Sequence, residues 1–223
     1  IEKKGVSEEK IITLHNWVDI EPFKNLTKDI SFRKKYGLEG KFIILFGGII
    51  GPAQGMEFMV EVAIKLADLK DLVFLLVGDG SEKPKVEELI NKYSLSNIII
   101  KPFISKEEYP YLVKDSDVGL VCLSEKNKTS FVPGKILGYM AAGKPIIAFL
   151  NKESDGFAVL NEAGCGYAVK SDDLEEAEKI TRKIYAEKDR LKEIGENGFK
   201  YASENLAVDV ILNKLEKLFS DSQ

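Results

Sequence analysis

The sequence predicts a doubly wound parallel α/β sheet of the Rossmann-like kind, and three observations predict it. Short apolar runs suited to strands buried on both faces recur at residues 41–46, 72–77, 97–100, 118–123 and 145–150. Segments with helical spacing of their apolar residues separate these runs. Runs also exit into glycine, at Gly47-Gly48, Gly78 and Gly80, where backbone can approach a ligand closely. Such alternation gives a parallel sheet covered by helices. Ligands of these sheets bind outside the carboxyl ends of the strands, and the glycine exits share that edge.

Taken in order, residues 1–24 read as a connector, with a short strand at 10–15 and a turn-rich stretch at 16–23. The chain opens on Ile1, so a fragment of a longer protein is expected. Residues 29–36 make a short amphipathic helix ended by Gly37. Strand 41–46 feeds a glycine loop over 47–55, and a helix at 56–69 turns Phe58, Met59, Val62, Ala63 and Leu66 inward. Strand 72–77, helix 86–93, strand 97–100, helix 106–114 and strand 118–123 follow. Pro133 opens the next helix, where its fixed φ and missing N–H do no harm. Ile136, Leu137, Met140 and Ala141 form its apolar face, Gly143 closes it as a left-handed cap, and Pro145 prevents a restart. Strand 145–150, helix 157–163 and strand 166–169 complete the alternation, and two or three helices close the chain from Asp172. The main unit is thus 25–204 and the last helix 205–223, whose stripe of Val208, Ile211, Leu212, Leu215 and Phe219 is expected to pack on the core.

Composition excludes several functions. With 223 residues, 44% of them hydrophobic, the chain can build one large or two small cores. A net charge of −4 gives no electrostatic case for a nucleic-acid partner. No apolar run approaches the ~20 residues needed to span a bilayer, and no signal peptide is visible. Cys122 and Cys165 are not at metal or redox spacing and read as two reduced thiols of a cytoplasmic protein. Neither a metal nor a cofactor is expected. His15, the single histidine, reads as a packing or hydrogen-bonding residue rather than a base.

Three places on the ligand edge carry chemistry. The spacing of Gly48, Gly51 and Gly55 matches neither the dinucleotide fingerprint nor the P-loop, which leaves a tight turn or a backbone N–H cradle for phosphate. Asp79 either meets a ligand hydroxyl or caps the following helix. Pro133-Gly134-Lys135 sets a cation among the free N–H groups of a helix start, ready for an anion, with an ordinary βαβ turn as the alternative. The polar stretch 124–130 between them reads as a functional loop.

Together these motifs resemble the C-terminal half of a family-4-type (group 1) glycosyltransferase of the GT-B fold. Asn16-Trp17-Val18-Asp19 with Phe23 is similar to the connector between that family's two domains, residues 46–55 to its first glycine loop, and Val77-Gly78-Asp79-Gly80 to the next strand exit. Pro133, Lys135 and the run from Tyr139 to Ala148, with Gly164-Cys165-Gly166 downstream, carry the most specific likeness.

The resemblance implies a donor-binding domain for a UDP- or GDP-linked sugar, acting with retention and without a metal ion, its leaving-group charge met by N–H groups and cations. It implies catalytic roles for Lys135 and Ser130. It implies donor contacts at Gly47, Gly48, Ile49, Gly78, Asp79, Pro102, Phe103, Ile104, Phe131, Val132, Pro133, Gly134 and Gly138. A glycan or lipid-linked acceptor would bind a separate N-terminal domain, as would any peripheral membrane surface, and this chain alone would transfer nothing. The family usually carries two glutamates eight residues apart, and those positions here hold Ser130 and Gly138. Its phosphate-binding Arg and Lys fall on Ile49 and Gln54. Glu125 is a candidate substitute for the missing acid. Rival readings are an epimerase or phosphorylase on the same fold, and a scaffold domain that has lost the site.

Overall fold

Six strands pair in parallel in the computed structural model, which describes Gly5, Ser7 and residues 11–220. They are β1 (Phe42–Ile49), β2 (Leu72–Asp79), β3 (Ile98–Lys101), β4 (Val118–Cys122), β5 (Ile146–Leu150) and β6 (Gly166–Lys170). Their order across the sheet is β3-β2-β1-β4-β5-β6, so the winding reverses between β1 and β4. Doubly wound sheets take their ligands outside the carboxyl ends of the strands at such a reversal, which here falls at β1 and β4.

The central strands β1, β2, β4 and β5 are buried on both faces and the edge strands β3 and β6 only partly, and period-2 alternation divides their side chains between two cores. Ile43 and Leu45 join one core with Phe32, Leu112, Ile136 and Met140. Phe42, Ile44 and Phe46 join the other with Met59, Val62, Ile180 and Ile184. Helices α1 (Glu21–Lys24), α2 (Phe32–Tyr36), α5 (Tyr109–Asp115), α6 (Gly134–Ala141), α7 (Gly156–Ala163) and α9 (Leu191–Asn205) lie toward the first core. Helices α3 (Met56–Lys65), α4 (Lys83–Lys92) and α8 (Leu174–Ala186) cover the second. The chain ends in α10 (Val208–Ser220).

Several expected boundaries move, each for a physical reason. The strand expected at 10–15 is absent over the described residues 11–15, which are mostly exposed with no sheet neighbour, and Lys10 lies outside the described residues. The connector instead attaches at Val18, whose N–H donates to the Leu206 carbonyl. The helix expected at 29–36 is α2, which starts at Phe32 because Ser31 caps it by accepting from the Lys34 N–H, and Gly37 ends it at φ +66°. Glycines 47 and 48 stay in β1 instead of opening a loop, since Gly47 pairs with Val77 and Gly48 with Gly78. The last helix packs only partly: of the expected stripe Ile211 is buried and Val208 and Leu215 are half-buried, but Leu212 and Phe219 are exposed.

Helix α6 is fastened at its far end. Gly143 takes the left-handed cap at φ +62°, as its position predicts. Lys144 then donates from Nζ to the carbonyls of Lys114 and Ser116, each at 2.7 Å, closing the turn before β4. Gly195 admits the close approach of α9, for a Cβ there would overlap the Gly143 carbonyl. The N-terminus of α6 is thereby fixed at the opposite, ligand edge.

Candidate functional site

The end of β1 is built on two tyrosines. Tyr139, fully buried on α6, donates from its hydroxyl to the Leu45 carbonyl at 2.7 Å and accepts from the Gly47 N–H at 3.3 Å. Gly119 gives the ring its place, since a Cβ on β4 there would overlap it. Tyr109 hydrogen-bonds Tyr139, and its ring edge stands 2.8 Å from where a Gly47 Cβ would sit. Burial pushes both phenols up, so they remain neutral donors and acceptors. The Gly47 N–H is thus committed to Tyr139 and is not free for a ligand. Tyr139→Phe would leave the Gly47 N–H and Leu45 carbonyl short of a partner in the interior. It is expected to cost about 1–3 kcal/mol, read as a lower urea midpoint at unchanged slope.

Lys135 lies across this platform. Its Cε and Nζ stand 3.0 and 3.2 Å from where a Cβ of Gly48 would be, and Gly48 holds φ +136°. Only glycine suits both conditions. The ammonium sits 4.9 Å from the centre of the Phe46 ring, a cation–π contact. Burial lowers the Lys135 pKa from its ordinary value, with the neighbouring Cys122 acting in the opposite sense. Among the described residues no carboxylate pairs with this ammonium. Burial in turn pushes the Cys122 thiol far above its ordinary range, so it is not a nucleophile. The result is a half-buried, unpaired cation at the topological switch point.

The other expected residues line the same edge in strand order. Pro133 is the buried N-cap of α6, one place earlier than its expected role inside the first turn. Gly134 and Gly138, one helical turn apart, both look onto open space, with no heavy atom within 4 Å of an added Cβ. Phe131 and Val132 are half-buried against the first core, as is Ile104. Ile49 and Phe103 are exposed at 64% and 54%, large apolar surfaces on the ligand edge, and Pro102 beside Phe103 is exposed too. Gly78 is a packing residue: a Cβ there would overlap the Gly48 carbonyl oxygen. Asp79 turns aside, accepting from its neighbour's N–H at Gly80 and standing 3.6 Å from the Lys83 ammonium.

Two acids bear on the loop 124–130. Glu125 lines a cavity of about 270 Å³ with Glu57, Glu61, Lys126, Ser171 and Asp172, among residues that do not include Lys135 or Gly48. Ser130 meets a carboxylate that the sequence reading missed: its hydroxyl lies 3.1 Å from both oxygens of Asp155. Asp155 follows β5 on the same carboxyl edge, ahead of α7, a placement readable from Ser154-Asp155-Gly156 as a helix-start signal. Tyr139 had a signal as well, four residues after Lys135 on the helix, but its polar role depends on strands far away in sequence.

The family model for glycosyl transferases group 1 matches residues 28–201 of this chain. The chain belongs to that family. Among group 1 relatives, it is 33% identical over 144 residues to WcaI of Escherichia coli (strain K12), a glycosyl transferase named for colanic acid biosynthesis. That match covers 63% of this chain and 35% of the relative. It is 30% identical over 120 residues to the alpha-D-kanosaminyltransferase of Streptomyces kanamyceticus, covering 53% and 30% respectively. The chain therefore spans about a third of the length of the curated relatives it matches. In structure it superposes on Anabaena HepE in complex with UDP with a TM-score of 0.82 at 19% identity, covering 99% of this chain and 60% of that one. The C-terminal domain of the group 1 protein LpcC from Francisella tularensis gives 0.69 at 21% identity, and the match covers 86% of this chain and 99% of that domain. The fold is the Rossmann-like half of a GT-B glycosyltransferase.

Proposed function

We propose that this chain is the donor-binding half of a retaining glycosyltransferase that takes a nucleoside diphosphate sugar and needs no metal ion. One observation carries the reading: the unpaired Lys135 ammonium on Gly48, beside the start of α6, at the point where the sheet reverses. A diphosphate there would receive the cation together with backbone N–H groups of a helix terminus. As the bond from the anomeric carbon to the diphosphate oxygen breaks, charge gathers on that oxygen, and these fixed donors stabilise it. The same donors take the place a divalent cation would fill. The nucleotide base would lie along the 102–104 segment beyond β3, with the exposed Phe103 and Ile49 as apolar surfaces. HepE binds UDP in its solved complex, which favours a uridine donor here. The acceptor, a glycan or lipid-linked glycan, would be held by a second domain across the crevice.

Calorimetry of UDP, GDP and ADP, each alone and as a common sugar conjugate, tests this reading. One diphosphate nucleotide should bind and raise the melting temperature, with about 2.7 kcal/mol of added stability at a hundredfold excess over Kd. If none bound at millimolar concentration, to this chain or to the full-length protein, the donor reading would be abandoned.

A further inference from the structure

We propose that Asp155, held by Ser130, is the carboxylate that receives the hydroxyl groups of the transferred sugar. The inference rests on the donor-site reading and adds a residue to it. Asp155 occupies the N-cap position of α7, yet its side chain caps no N–H of that helix. Ser154 does this instead, its Oγ accepting from the Gly156 N–H at 3.2 Å. The Asp155 carboxylate turns to Ser130, whose Oγ lies 3.1 Å from each carboxylate oxygen and has one proton to donate. One proton cannot saturate two carboxylate oxygens, and lone pairs remain on both. Asp155 is exposed, and among the described residues no cation is paired with it.

The segment that carries Asp155 is packed against α6. The buried Gly156 packs so closely on α6 that an added Cβ would stand 2.9 Å from the Ile136 side chain, next to Lys135. Ser154 Oγ also donates to the Phe131 carbonyl at 3.0 Å, and Asn151 Nδ2 to the Thr129 carbonyl at 3.3 Å. These bonds bind the segment before α6 to the segment before α7. A carboxylate in this cluster repels phosphate and attracts neutral donors, so its place is at the hydroxyl-bearing end of a nucleotide sugar whose phosphates lie on Lys135. It also disfavours sugars carrying an acid group, which gives selectivity by repulsion.

The test is calorimetry on the wild type, Asp155→Asn and Ser130→Ala, with UDP against UDP-glucose and GDP against GDP-mannose. The Asp155→Asn substitution keeps an oxygen for Ser130 and loses only the charge. We expect it to weaken the sugar conjugate about tenfold or more while leaving the bare diphosphate unchanged, the loss of a charge-assisted hydrogen bond. Ser130→Ala keeps the carboxylate and should retain most of the sugar increment. An equal loss for diphosphate and conjugate would make Asp155 a loop tie only, and no loss for either would remove it from the site; both overturn the inference alone. A wild type that binds no nucleotide would overturn it together with the donor reading.

Discussion

Lys135→Met should yield a protein that melts higher than the wild type and binds nucleoside diphosphate about a hundredfold more weakly. The two effects share one cause. Lys135 is half-buried, without a carboxylate partner, and burial lowers its pKa. A lysine whose folded pKa lies below its unfolded value holds its proton better in the unfolded chain. Stability therefore rises with pH as the pH passes from the lowered value toward the ordinary lysine value, and at neutral pH the penalty is present in full. Met removes the charge, keeps an unbranched chain of similar length, and places a sulfur near the Phe46 ring, where such contacts are favourable. A gain on the order of 1 kcal/mol is expected, or about 2–4 °C in Tm for a chain of this size. The binding loss follows from two charge-assisted bonds to phosphate at about 1.5 kcal/mol each. Scanning calorimetry and titration on the same preparations check both signs, and the Tm difference should narrow at alkaline pH. A Lys135→Met protein that melted lower would mean the ammonium helps to hold the fold, and one that bound as tightly as wild type would mean the ammonium does not meet the diphosphate.

How much of this was legible in the sequence divides along the reach of the interactions. Lys135 was readable because a helix start is a local signal: Pro133 before it, an apolar face after it, Gly143 at the end. The strands were readable because burial on both faces leaves continuous apolar runs. Gly47 and Gly48 read as loop because glycine weakens an isolated strand, but pairing with β2 carries them into the ladder. Residues 10–15 have the apolar content of a strand, yet the described ones find no neighbour, and a strand without a partner leaves its backbone groups unpaired. The polar support of the site was hidden for the same reason. Tyr139 bonds Leu45 across 94 residues, and Ser130 bonds Asp155 across 25, distances at which neither spacing nor propensity speaks. The stretch 124–130 carries Glu125, the candidate acid, and also brings Ser130 to a carboxylate from another element, a pairing that no local spacing announces.

Gly78→Ala is expected to do the greatest damage of any single methyl group on the ligand edge. Gly78 is buried in β2 and lies opposite Gly48 in the parallel ladder. An added Cβ would overlap the Gly48 carbonyl oxygen and stand 2.9 Å from its carbonyl carbon. These are backbone atoms of a central strand, so no rotamer change can relieve the contact; β1 or β2 must move. The strand that would move is the one whose Gly47 N–H is fixed on Tyr139 and whose Gly48 lies beneath Lys135. Gly48, at φ +136°, has the Lys135 side chain packed against it, so a backbone shift there disturbs the ammonium as well. We expect a loss of about 4 kcal/mol or more, in the range reserved for backbone and core disruption. Against a total of about 5–15 kcal/mol for an ordinary domain, that leaves a marginal fold. Urea unfolding followed by circular dichroism measures it, and nucleotide titration of whatever remains folded should show no binding, because Gly48 and Lys135 can no longer share one position. A Gly78→Ala protein within about 1 kcal/mol of wild type, still binding nucleotide, would show instead that β1 and β2 can separate at this edge without disturbing the platform, and the site would then owe its shape to α6 rather than to the strand pair.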